Sequence, residues 1–93
     1  MARSVYKFDF PMRPDISPVL ELAMCDPEVV LVFQQSSVLP TVWIEHDLDL
    51  AANTVLTLEV IGTGQPVTEG MTHVGSAVCG HFVWHVYGKK ETV

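Results

Sequence analysis

The chain has 93 residues, 48% of them hydrophobic, with eleven acidic residues against five basic ones and a net charge of −6. That length holds one domain and no second. The acidic balance excludes recognition of a nucleic-acid polymer through a phosphate-neutralising basic stripe, and equally a polybasic membrane-surface site.

The elements follow in chain order. Arg3 to Phe8 alternates with period two and reads as a strand. Pro11, Pro14 and Pro18 keep the next stretch irregular, with Arg13 its one cation. Val19 to Met24 places Leu20, Leu22 and Met24 on one face, and Asp26-Pro27 reads as a turn that ends it. The β-branched run Val29 to Phe33 predicts a strand covered on both faces. After Ser36-Ser37, residues Leu39 to Leu48 set Val42, Ile44, His46 and Leu48 opposite Thr41, Trp43, Glu45 and Asp47, which makes a hairpin with the run before.

Asp47 to Asn53 offers at most one helical turn. Thr54 to Ile61 alternates Leu56, Leu58 and Val60 against Val55, Thr57, Glu59 and Ile61, and Gly62-Thr63-Gly64-Gln65-Pro66 closes it. Met71 to Cys79 and His81 to Tyr87 are the last two strands, with Gly75 marking a bulge or a close backbone approach. Gly88 to Val93 reads as a polar, fraying tail. About seven short, mostly antiparallel strands and no helix predict an all-β fold, a small β-sandwich or partly open barrel, in one domain over residues 1–93.

A body this small buries only about 60–65% of its unfolded surface, so an apolar surplus is expected on the outside as a patch. That predicts a homo-oligomer. The N-terminal Met-Ala-Arg-Ser-Val-Tyr lacks the apolar core of a signal peptide, and Val29–Phe33 is far too short to span a bilayer. A cytoplasmic protein with free thiols at Cys25 and Cys79 is expected.

His81 and His85 share a strand face but stand roughly 13 Å apart at about 3.3 Å per residue, too far for one ion. No metal and no cofactor are expected. Ser36 and Ser37 lack a nucleophile elbow, and Cys79-Gly80-His81 places a glycine where a Cys/His pair needs a continuous strand. The chain therefore reads as a binding protein, not an enzyme. The candidate ligand-binding residues are Arg13, whose guanidinium suits a phosphate; Gly62, Thr63, Gly64 and Gln65, whose backbone N–H groups suit an anion; Trp43 and Trp84, whose rings suit stacking; and His85.

Five blocks carry a resemblance: Tyr6-Lys7-Phe8, Pro40-Thr41-Val42-Trp43, Gly62-Thr63-Gly64-Gln65-Pro66, Val74-Gly75-Ser76 and Phe82-Val83-Trp84-His85-Val86-Tyr87. With them the chain resembles a family of small uncharacterised all-β proteins of phages and bacteria. It departs from that pattern at Gln65, where relatives often carry His, and in a shorter turn at Cys79-Gly80. The family context implies no activity. By analogy of size and composition it points to a phage anti-defence protein that sequesters a nucleotide-derived immune signal, with a small anionic nucleotide-type ligand. The alternative is a structural or protein-interaction module: a virion accessory piece or a direct inhibitor of a host protein.

Overall fold

The computed structural model describes residues 2–10, 18–33, 39–79 and 81–93. Six strands account for most of them: β1 (Arg3–Asp9), β2 (Val19–Phe33), β3 (Thr41–Asp47), β4 (Thr54–Gly62), β5 (Thr72–Cys79) and β6 (Phe82–Thr92). They form one sheet in the order β1-β3-β2-β4-β6-β5, and every neighbouring pair is antiparallel. The sheet curls into a half-barrel, which is the partly open form of the all-β fold the alternation predicts. No helix occurs among the described residues; the stretch after Asp47 bends instead, held by Leu48 N–H donating to Ala2 O at 2.9 Å and Asp49 N–H to Asp47 Oδ1 at 2.9 Å.

The concave face is the core. Leu56, Leu58 and Val60 of β4, Val42 and Ile44 of β3, Met24 of β2 and Val86 of β6 are buried there, with Leu20, Leu22, Val29, Val32 and Trp84 packed against them. These are the residues that period-two alternation puts on one face of each strand.

Three expectations need correction. Asp26-Pro27 does not end a strand. β2 runs through it on a register shift between Cys25 and Glu28, with Asp26 in the left-handed region at φ 48°. The first half of β2 pairs with β4 and the second with β3, so two expected strands are one and the described residues form six strands where about seven were expected. Proline's missing N–H is tolerated because Pro27 lies within the bulge, where the bulged strand leaves a residue out of the ladder.

The run Val29–Phe33 is not covered on both faces. Val29 and Val32 pack on the core, but Val30, Leu31 and Phe33 are 50%, 48% and 57% exposed. A single curled layer has one interior, so the convex side of β2 faces outward. Nor do residues 88–92 form a loose tail. They are the second half of β6, paired with β4 as far as Thr54↔Thr92, and Val93 N–H donates to Asn53 O at 3.0 Å. Without them the ladder groups of β4 from Thr54 to Leu58 that face β6 would lack partners, the other side being paired with β2.

Gly75 fills both roles proposed for it. The β5–β6 register shifts between His73 and Gly75, and a Cβ at Gly75 would lie 2.8 Å from Val32 Cβ across the half-barrel. That contact is where β5 closes toward β2.

Candidate functional site

The β4–β6 register sets Gly62 directly opposite Trp84. A Cβ on Gly62 would make ordinary contact with the Trp84 six-membered ring at 3.4 Å and a tighter one with Gln65 Oε1 at 3.2 Å, so the glycine makes room for the Gln65 side chain. The loop that follows is self-braced. Gln65 N–H donates to Gly62 O at 3.0 Å, and Gly62 N–H donates to Gln65 Oε1 at 2.7 Å. Gly64, at φ 90°, takes a conformation that suits glycine, with open space around it. Phe82 stacks on Trp84 with ring centroids 5.9 Å apart and planes 16° from parallel. Gly62, Thr63, Gln65, His81, Phe82, Val83 and Trp84 together line an open cleft of about 460 Å³.

A chain of polar side chains braces the loop from the convex face. His73 Nε2 lies 2.8 Å from Ser76 Oγ, Ser76 Oγ 2.9 Å from His85 Nδ1, and His85 Nε2 3.1 Å from Thr63 Oγ1. Thr63 Oγ1 in turn donates to Val83 O at 3.4 Å. A carbonyl can only accept, so one proton order satisfies every member. His85 Nε2–H donates to Thr63, Ser76 donates to His85 Nδ1, and His73 Nε2–H donates to Ser76. His73 also packs edge-on against Tyr87 at 5.3 Å. The arrangement fixes Thr63, and hence the loop, against β5 and β6. Ser76 touches an imidazole nitrogen, the first element of a nucleophilic pair, yet it sits on the exposed convex face, outside the cleft.

Of the candidates read from the sequence, Gly62, Thr63, Gly64, Gln65, Trp84 and His85 come together here. Trp43 does not: it lies on β3 between Lys7 of β1 and Leu31 of β2 and does not line the cleft. Arg13, Ser36, Ser37, the Cys79 side chain and Gly80 lie outside the described residues.

Sequence reading missed Ser76 and His73. Histidine spacing was measured along one strand, whereas the cluster forms across β5 and β6, where Ser76 is opposite His85. It also missed a second cleft of about 540 Å³ at the other end of the half-barrel. Val29, Leu56 and Val74 give it an apolar floor, and Lys89, Lys90 and Glu28 stand at its rim. Lys90 Nζ pairs with Glu28 Oε1 at 2.8 Å and Lys89 Nζ with Glu91 Oε1 at 3.0 Å, so both cations are already answered.

Cys25 is a buried free thiol. Burial pushes its pKa up, the nearby Asp26 and Asp47 carboxylates push it further, and Arg3 opposes them. A thiol held in its neutral form is a poor nucleophile. Among the described residues no group of three or more His, Cys, Asp or Glu is placed to hold a metal ion, and no helix is long and apolar enough to cross a membrane.

Fold and site together define a small half-barrel β domain with an aromatic cleft beside a glycine turn. The chain belongs to the family described as "Domain of unknown function (DUF7352)", whose model matches residues 1–93. No curated protein and no solved structure matches it.

Proposed function

We propose that the chain is a non-enzymatic binding protein whose cleft takes a flat heteroaromatic ring of the nucleobase type, held and not converted. One observation carries this reading: the stacked Phe82–Trp84 pair forms a cleft wall directly beside the self-braced Gly62–Gln65 turn. The volume, about 460 Å³, falls within the range of about 300–1,000 Å³ usual for small-molecule sites. Trp84 and Phe82 supply the stacking surface, and Thr63, Gln65 and His81 the polar edge. Among the described residues no Lys or Arg lines the cleft, so the ring carries recognition. An attached phosphate would fall to the backbone N–H groups at Gly64, whose surroundings are open. In a phage setting, the role this implies is sequestration of a nucleotide-derived signal. Self-association belongs to the same reading, because large apolar side chains stay exposed along β1, β2, β5 and β6.

Calorimetric titration with nucleosides, cyclic dinucleotides and ADP-ribose tests it. At least one is expected to bind and to be recovered unchanged. Trp84→Ala is expected to weaken binding about 5- to 150-fold, the loss of one stacking partner at about 1–3 kcal/mol. Trp43→Phe serves as a control with no effect. No binding by any probe would overturn the reading, as would recovery of a converted product.

A protein-interaction module is the second reading. Val78 and Val83 favour it, exposed directly opposite each other on one face of the β5–β6 hairpin. Stoichiometric retention of one host protein, unaffected by nucleotides and lost in Val78→Ser, would select it.

A further inference from the structure

Among the described residues the two edges of the sheet are β1 and β5. β5 carries a bulge between His73 and Gly75, which makes its ladder irregular, and bulges guard an edge against pairing. β1 pairs with β3 without a shift from Arg3↔Asp47 to Asp9↔Thr41, so its free edge is regular over all seven residues.

We infer that β1 is the seam of a two-fold dimer, pairing antiparallel with β1 of a second copy to continue the sheet from one molecule into the next. Antiparallel pairing of a seven-residue strand with itself has one register that uses every residue: the one centred on Tyr6. The sequence is complementary in that register. Arg3 meets Asp9 of the second copy at both ends, Val5 meets Lys7 of the second copy twice, and Tyr6 meets Tyr6 on the axis. Every charge has an opposite charge or an apolar residue across from it, and no like charges are opposed.

Further features favour a copy of this chain as the occupant. Val5 and Tyr6 are 48% and 47% exposed, apolar surface that the seam would cover. Tyr6 already rests edge-on against His46 at 4.9 Å, which fixes its ring below the axis. Arg3 uses Nε and Nη2 for Glu45 and for the Asp26 carbonyl, and its guanidinium has further donors to offer Asp9. Asp9 accepts from Thr41 Oγ1 through Oδ1 and retains a second oxygen.

This deepens the self-association proposed above, and its test separates the two. Val5 and Lys7 are exposed, so substitutions there leave the core intact; Val5 stands opposite Glu45 of its own molecule, so the thermal stability of each variant is measured beside its dimerisation. Val5→Lys opposes Lys7 of the second copy twice, and is expected to raise the dimer dissociation constant about tenfold in sedimentation equilibrium. Val5→Glu creates two ion pairs and is expected to lower it. Val5→Lys combined with Lys7→Glu is expected to restore dimerisation, with salt weakening the restored dimer. In a Cys79→Ser background, Tyr6→Cys is expected to give a reducible covalent dimer, because residues opposite on the axis lie about 4.5–5.5 Å apart. Lys7→Cys, displaced from its own copy in this register, gives none. Equal effects of Val5→Lys and Val5→Glu, or a dimer that yields no Tyr6→Cys cross-link, would overturn the β1 seam while leaving self-association through another surface standing. A strict monomer at high concentration would overturn both.

Discussion

Gly75 shows how one missing side chain sets the curvature of the sheet. Val32 of β2 occupies the space where a Cβ on Gly75 would sit, so the glycine is required by a neighbour and not by its own backbone angles. Gly75→Ala is expected to destabilise the fold by about 1–3 kcal/mol, the usual cost of overpacking. Val32→Ala removes the atoms in conflict, so Gly75→Ala added to it is expected to cost much less than it does alone. Urea denaturation of the four proteins of this double-mutant cycle measures the coupling. An additive result would show that the two residues do not touch. Gly75 was legible in the sequence as an oddity within a strand, but its partner was not, because Val32 is 43 positions away and meets it across the concave face.

β2 is the element on which local and tertiary preferences disagree. Asp26-Pro27 has the chemistry of a turn, and by itself would end the strand. What overrides it is Asn53, which accepts from Asp26 N–H at 3.1 Å and donates to Asp26 Oδ1 at 3.0 Å, holding Asp26 at φ 48°. Aspartate tolerates that region better than a branched residue. Asp26→Val is therefore expected to cost about 1–3 kcal/mol, while Asp26→Gly, which loses the side-chain bond but relieves the backbone, costs less. Chemical denaturation checks the order; because both variants lose the side-chain bond, a reversed order would mean that residue 26 does not hold the left-handed backbone angle. The strands that read correctly, β4 above all, are those whose alternation and pairing agree. Leu56, Leu58 and Val60 face the core, and the register that follows brings Gly62 to Trp84. Trp43 shares the composition of Trp84 but sits on a strand that pairs toward β1, so composition alone could not exclude it from the cleft. The C-terminal residues failed for a different reason: Lys89, Lys90 and Glu91 look like a solvated end, yet they pair with β4 through backbone groups that carry no sequence signature.

At the scale of the molecule, the shared strand decides how the fold comes apart. β2 pairs with β3 by its second half and with β4 by its first, and the buried cluster draws Val42 and Ile44 from one side and Leu56, Leu58 and Val86 from the other. Neither β1-β3 nor β4-β6-β5 has a core of its own, so opening one side exposes apolar surface that belongs to both. The chain should therefore unfold in one cooperative step. Nature has placed one tryptophan on each side, Trp43 in β3 and Trp84 in β6. In Trp84→Phe the remaining fluorescence reports the β1-β3 side, and in Trp43→Phe it reports the β4-β6-β5 side. Each variant's fluorescence transition in urea is expected to coincide with its own far-ultraviolet circular dichroism transition. If Trp43 emission changed at lower urea than the dichroism, β1 and β3 would be a separately melting flap. β2 would then be a strand that two weakly coupled units share, and the edge at β1 would open before the aromatic cleft lost its shape.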